Sequence, residues 1–375
     1  MTLEYIRKGL IRRTLLAMPL RNTIMFESVP NLSDNTKAVF DEMVRRNLNK
    51  KYKLIWVLNK EEANLPQIPN VEYILKSDKK FEFYRYTSKC FVCCNEYLGS
   101  LKKNQTSFYL THGTPMKSLR AYYTIPESID YCISAGKGLI PIYSYEFNYN
   151  EKNIVPLGFP RNDILTNSKR DLHPLFPKHD FDKIIVWYPT YRQHSNGTSY
   201  TGKALPIIND VQKAEELNKI AQKNRTLIVL KPHFAQDVSY IKDLNLSNIL
   251  FINDAFFLEN KISSYEFVGN CDALITDYSS IYFDYTLCDK PIALVWEDYE
   301  EYKKSPGFAT GIEQYLEGGE KVYTLEEFTS FIERIAKNED VLKEARNRVC
   351  AMTNYSKDGK NAARVVDFII EKTKL

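Results

Sequence analysis

Short apolar runs alternate along this chain with stretches whose apolar residues recur at helical spacing. Residues 23–26, 54–58, 71–75, 91–94, 108–110, 131–133 and 153–155 read as strands. Between the first two, Ser33 or Asp34 caps a helix whose stripe is Val39, Phe40, Met43 and Val44. Continuous apolar runs separated by helices predict parallel strands covered on both faces. Residues 166–180 then turn polar and carry two prolines, which predicts a linker. The pattern restarts at 184–187, 227–230, 249–252, 273–275 and 292–295. Beyond Leu325 the spacing of Phe328, Ile332 and Ile335 is helical, and the tail reads as helix to its end. The expected organisation is α/β: a first βαβ domain over 1–165, a linker over 166–180, a second domain over 181–335 and a helical tail over 336–375. A cleft between the two domains is the expected binding site.

Composition narrows the function classes. With 375 residues the chain exceeds one ordinary core. Its 51 basic and 47 acidic residues leave a net charge of only +4, which does not announce a nucleic-acid partner. The seven cysteines show no CxxC spacing, so neither a zinc site nor a disulfide framework is indicated, and a reducing, cytoplasmic setting is expected. No apolar run reaches the roughly 18–20 residues of a membrane span. Near the N-terminus, Leu3, Ile6, Leu10, Ile11, Leu15 and Leu16 alternate with Arg7, Lys8, Arg12 and Arg13. Two readings stay open there: a helix lying in a membrane surface, or a helix packed on the fold with solvated arginines.

The candidate chemistry lies at strand ends, where open α/β sheets bind ligands. Phe108-Tyr109-Leu110-Thr111 opens into His112-Gly113-Thr114-Pro115. A neutral imidazole at His112 can take a proton from an attacking hydroxyl, Gly113 permits close backbone approach, and Pro115 suits the start of a helix. Leu227-Ile228-Val229-Leu230 opens into Lys231-Pro232-His233, and Ala273-Leu274-Ile275-Thr276 into Asp277-Tyr278-Ser279-Ser280. Lys231 offers a point charge, and Ser279 and Ser280 offer hydroxyls at a helix start, all suited to phosphate. Arg161 and Arg192 follow two further strand exits and can bind phosphate oxygens bidentately. Each has a plainer alternative: an N-cap for Asp277 or Ser279, a structural histidine, a surface ion pair for either arginine. Gly136-Lys137-Gly138 lacks the frame of a phosphate-binding Walker loop, and GxGxxG and GxSxG are absent. The acidic run 297–301 reads as a solvated helix start rather than a metal site.

Taken in order, His112-Gly113-Thr114-Pro115-Met116-Lys117, Gly158-Phe159-Pro160-Arg161-Asn162-Asp163, Tyr188-Pro189-Thr190-Tyr191-Arg192, Lys231-Pro232-His233 and Thr276-Asp277-Tyr278-Ser279-Ser280 resemble the CDP-glycerol glycerophosphotransferase family of teichoic-acid and capsule synthesis. Phe26-Glu27-Ser28 and Asp34-Asn35 upstream, with Asp284, Lys290-Pro291 and the acidic stretch downstream, extend the resemblance over roughly residues 24–331. It implies a GT-B fold of two Rossmann-like domains. It also implies transfer of a polyol phosphate, such as glycerol phosphate, from a CDP-activated donor to a hydroxyl of a lipid-linked saccharide or growing polymer, with CMP leaving. The resemblance marks His112 and His233 as catalytic. It marks Gly113, Thr114, Pro115, Met116, Arg161, Pro189, Thr190, Lys231, Pro232, Ser279, Ser280 and Asp284 as donor-binding. No cofactor is implied, and the cations make a divalent metal unnecessary. The implied location is the inner face of the cell membrane, held peripherally, with no nucleic acid involved. One departure stands out: Pro306-Gly307 occupies the place where the family carries an Arg-Gly pair. Three alternatives remain: a CDP-ribitol or other CDP-polyol donor, a GT-B glycosyltransferase using a UDP-sugar, and a non-enzymatic binding protein for lipid-linked glycans.

Overall fold

The computed structural model describes residues 3–190, 205–232, 236 and 238–374. The chain forms two units. The first comprises Met1–Thr114, Tyr122–Asp163 and Lys360–Leu375; the second comprises Pro115–Ala121 and Ile164–Gly359.

In the first unit seven strands form one parallel sheet: β1 (Arg21–Glu27), β2 (Lys53–Leu58), β3 (Val71–Leu75), β4 (Ser88–Cys93), β5 (Thr106–Tyr109), β6 (Tyr131–Ser134) and β7 (Ile154–Pro156). Their spatial order is β3-β2-β1-β4-β5-β6-β7, so the winding reverses between β1 and β4. That is the doubly wound, Rossmann-type arrangement, whose ligand crevice lies outside the carboxyl ends of the strands at the reversal. β1 and β4 are buried almost throughout, as a central parallel strand requires. The helix Asp34–Arg45 covers one face. Phe40 meets Phe26 and Trp56 edge-on, at 5.4 and 5.2 Å between ring centroids, while Phe26 and Trp56 stack at 5.8 Å. Burying each such side chain contributes roughly 1.5–3 kcal/mol.

In the second unit six strands form a second parallel sheet: β8 (Lys183–Trp187), β9 (Thr226–Leu230), β10 (Ile249–Phe251), β11 (Ala273–Thr276), β12 (Ile292–Val295) and β13 (Glu320–Val322). The order β10-β9-β8-β11-β12-β13 repeats the Rossmann winding, now reversing between β8 and β11. Trp187 packs on Phe328 at 5.1 Å, from a helix Leu325–Ala336 that opens with a reciprocal Thr324–Glu327 capping box.

Three features differ from the expected pattern. β13 has only three residues, two of them charged, and shows no apolar run. The residues read as a linker belong to the second unit: Phe176 is buried and stacks on Phe256 at 5.6 Å, so a few apolar anchors hold an otherwise polar stretch. The tail is helical as expected, in the helices Leu325–Ala336, Lys343–Thr353 and Asn361–Thr373, and differs only in where it ends. The last returns to the first unit, where Val365, Val366 and Ile369 are fully buried in the core with Ile24, Phe26 and Trp56. Its arrival explains Gly158: with φ at +84°, a Cβ there would sit 2.0 Å from Asn361 Oδ1.

Candidate functional site

In the first unit the site is built on the exits of β1, β4 and β5. Glu27 ends β1 and is 1% exposed. Its Oε2 accepts the backbone N–H groups of Asn95 and Glu96, at 3.3 and 3.0 Å, just beyond β4. Asn95 reciprocates, its Oδ1 accepting the Val29 N–H at 2.9 Å. The two exits at the winding reversal therefore lock each other. Glu27 Oε1 has no hydrogen-bond partner among the described residues. Burial pushes this carboxyl up to about 7, against the backbone donors that lower it, and the neighbouring Glu96 charge adds to the rise.

His112 leaves β5 as an exposed side chain. Its backbone is held from two directions. Arg161 Nη1 donates to the His112 carbonyl at 2.8 Å and pairs with Asp34 at 2.7 Å. Asn35, completely buried, donates through Nδ2 to the Thr111 carbonyl at 3.0 Å and accepts the Arg161 N–H at 3.1 Å. A buried amide must be satisfied, and this one is satisfied by tying the β5 exit to the β7 exit. Tyr143 Oη donates to the Gly113 carbonyl at 3.2 Å. Thr114, Pro115 and Met116 are buried. The helix expected to start at Pro115 does not form. Instead Lys117 pairs with Phe308 as an isolated antiparallel bridge, because the Met116 carbonyl and Ser118 N–H are taken by backbone partners of another segment.

In the second unit the site is built on the exits of β8, β9, β11 and β12. Asp277 is 1% exposed and accepts the Thr190 N–H on both oxygens, at 3.0 and 2.9 Å, together with the Thr190 hydroxyl and the Tyr278 N–H. It is no N-cap; it pins the β8 exit to the β11 exit. Pro189 is buried beneath this pin. Ser279 and Ser280 follow it half-exposed, and Ser280 makes no side-chain capping bond to the helix Ile281–Tyr285. That helix has five residues, and its first N–H groups are taken: Ile281 by Ser279 Oγ at 3.5 Å, Tyr282 and Phe283 by the Ser279 and Ser280 carbonyls at 3.2 and 3.0 Å, so the hydroxyls, rather than a macrodipole, are what the turn offers an anion. Lys231 and Pro232 leave β9 half-buried; the ammonium pairs with Asp254 at 3.0 Å and lies 6.0 Å from the Tyr188 ring centroid. Asp284 is buried and accepts the Tyr265 hydroxyl at 2.6 Å, which places it beneath the turn rather than at its surface. The acidic run opens the helix Tyr299–Lys304, with Glu297 accepting the Ile207 N–H at 2.8 Å. Arg192 and His233 lie outside the described residues. Among the described residues no group of three or more His, Cys, Asp or Glu is placed to hold a metal ion, and no helix is long and apolar enough to cross a membrane.

Sequence reasoning missed the pinning roles of Glu27, Asn35 and Asp277. For Glu27 and Asp277 the available signal was a carboxylate at, or directly after, the end of an apolar strand, where burial obliges it to find donors.

The family model for CDP-Glycerol:Poly(glycerophosphate) glycerophosphotransferase matches residues 10–371. The teichoic acid ribitol-phosphate polymerase TarL of Staphylococcus aureus is 26% identical over 333 residues, covering 79% of this chain and 54% of the relative. A teichoic acid poly(glycerol phosphate) polymerase of Bacillus spizizenii is 27% identical, covering 75% of each. This chain thus spans about half of the first relative and three quarters of the second. The solved wall teichoic acid polymerase TagF superposes with a TM-score of 0.74 at 22% identity, covering 99% of this chain and 97% of that one. That likeness concerns the fold, which is α/β of the GT-B class with two parallel sheets. A match over nearly the whole length decides the rest: the chain belongs to the CDP-glycerol:poly(glycerophosphate) glycerophosphotransferase family.

Proposed function

We propose that this chain transfers a polyol phosphate, glycerol phosphate in the simplest case, from a CDP-activated donor to a hydroxyl of a teichoic-acid-type or capsule acceptor, with release of CMP. The observation that carries the reading is the pinned second-unit turn: Asp277 fixes two strand exits at the winding reversal and leaves Ser279 and Ser280 half-exposed after β11, with β8 between them and β9, the strand that Lys231 leaves. Hydroxyls and one ammonium are donors suited to a diphosphate. His112 acts as base: the acceptor oxygen attacks the polyol phosphorus, its proton passes to the imidazole, the new P–O bond forms, and the bond to the CMP phosphate oxygen breaks with its electron pair leaving on CMP. Positioning and charge stabilisation supply most of the acceleration in such transfers. His233, Arg192, Arg161, Gly113, Thr114, Pro115, Met116, Pro189, Thr190, Pro232 and Asp284 complete the set, Arg161 through its hold on the His112 carbonyl and Asp284 from beneath the serine turn.

The acceptor in this reading is lipid-linked, and the chain works peripherally at the cytoplasmic face of the membrane. Support comes from the N-terminal helix Leu3–Ala17, which exposes Leu10, Ile11 and Leu16 beside Arg12 and Arg13. Such a surface can enter the headgroup region.

The test is CMP release from a panel of CDP-glycerol, CDP-ribitol and UDP-sugars, run on the wild-type chain and His112→Ala. Release of CMP from one CDP-polyol, lowered about 10²–10⁴-fold by the substitution, is the expected result. Release of UDP alone, from a UDP-sugar, or near-normal turnover by the folded variant, refutes the reading.

A further inference from the structure

We propose that Phe308, with its neighbours Gly307 and Ala309, is a positioning residue for His112, acting by clamping the chain just downstream of it. The proposal rests on the reading of His112 as the base.

The chain passes from the first unit into the second between Thr114 and Pro115, two residues after His112. There it is caught at once. The Ala309 N–H donates to the Met116 carbonyl at 3.0 Å, and the Ser118 N–H donates to the Gly307 carbonyl at 3.0 Å. Lys117 and Phe308 lie opposite each other between these bonds. Gly307 makes the turn that delivers this segment: its φ is +79°, and a Cβ would lie 3.3 Å from the Lys303 carbonyl oxygen.

The far side of the clamp is fastened by aromatic rings. The Phe308 ring lies 5.1 Å from Tyr302, 5.8 Å from Tyr278 and 6.0 Å from Trp296. Tyr302 and Tyr278 stack face to face at 3.5 Å, and the Tyr278 hydroxyl donates to Asp298 at 3.0 Å. Tyr278 sits between Asp277, the pin of the second unit, and Ser279. One aromatic block therefore holds both the proposed diphosphate turn and the stub of chain that emerges from His112. On its other side the His112 carbonyl is fixed by Arg161. Phe308 brings no acid, base or charge to the reaction. Its effect is geometric, and a general base works only within hydrogen-bond reach of the proton it takes.

The experiment compares Phe308→Ala, Phe308→Leu and Phe308→Tyr with wild type and His112→Ala. Turnover is measured by CMP release at saturating CDP-polyol, CMP affinity by calorimetry, and folding by thermal melting. Phe308→Ala is expected to lower kcat about 10–100-fold, the penalty of a misplaced reacting group, with CMP affinity within about twofold of wild type. Phe308→Tyr should recover most of the loss. Phe308→Leu keeps apolar bulk at a half-buried position and should show a smaller loss in the same direction, which preserves the test if the alanine variant misfolds. Unchanged kcat in the alanine and leucine variants overturns the clamp, as does a fall in kcat matched by an equal fall in CMP affinity. If His112→Ala is inactive while the Phe308 variants are normal, the clamp alone fails. If His112→Ala turns over normally, the base assignment fails and takes the clamp with it.

Discussion

The two Rossmann-wound sheets solve the same problem with opposite polarity. In each, a buried carboxylate stitches the two strand exits at the winding reversal. In the first unit the carboxylate belongs to the strand that starts the unit, Glu27 on β1, and takes N–H groups from the exit of β4. In the second unit it follows the later strand, Asp277 after β11, and takes the N–H and hydroxyl of Thr190 beyond β8. Asp277 distributes its donors over both oxygens, whereas Glu27 leaves Oε1 without a partner among the described residues. A buried carboxylate with donors on both oxygens is a stable brace. One with donors on a single oxygen is paid for in desolvation, and its proton occupancy becomes a property of the fold.

Asp277→Asn tests the satisfied brace and should have the widest effect, reaching both stability and binding. A carboxamide has one acceptor oxygen and turns an NH2 group toward the Thr190 N–H. Losing charge-assisted bonds in a buried place costs about 2–3 kcal/mol, read as a lower urea midpoint, and CDP-polyol binding should fall with it. Wild-type affinity in this variant would show that the diphosphate turn does not depend on the pin.

Glu27→Gln tests the unsatisfied brace, and pH supplies the sign. The folded state raises this carboxyl from its ordinary value near 4.5 to about 7. The stabilisation is fully present below the unfolded value and is lost as pH rises through the folded one, because the unfolded chain releases the proton first. Wild type should therefore lose about 3 kcal/mol relative to Glu27→Gln between roughly pH 4.5 and pH 8. Parallel stability curves for the two proteins would remove the contrast with Asp277.

The smallest effect is expected at the turn the second brace supports. Replacing Ser279 and Ser280 by alanine removes two hydroxyl donors at roughly 1 kcal/mol each, weakening a CDP-polyol about 10–30-fold while leaving cytidine nearly unchanged. Equal losses for both ligands would move the diphosphate away from these serines.

The strands that carry the site were legible because a buried parallel strand carries a continuous apolar run, as β9 does after Thr226 and β12 does throughout. His112, Lys231 and the serine pair were legible because each directly follows such a run. The stitching was not. Glu27, Asn35 and Asp277 act on backbone groups far away in sequence, and no local spacing records which N–H a carboxylate will meet. The missing helix at Pro115 has the same cause: local preference favoured a helix start, and backbone partners at Gly307 and Ala309 prevailed. β13 went unseen because an edge strand of three residues need bury only one side chain, Val322.

The return of the helix Asn361–Thr373 to the first unit sets an order of events during synthesis. The sheet β1–β7 is complete once residue 156 has been made, yet its core still lacks Val365, Val366 and Ile369. Roughly two hundred residues of the second unit must leave the ribosome first, which at about 5–20 residues per second takes about 10–40 s. Through that interval the nascent first unit presents an open apolar face, while the main body of the second, Ile164–Gly359, can fold from one uninterrupted stretch. The unit that carries His112 is thus the last to close, and a chain cut off between residues 322 and 361 has all six strands of its second sheet but leaves the first without the helix that completes its core.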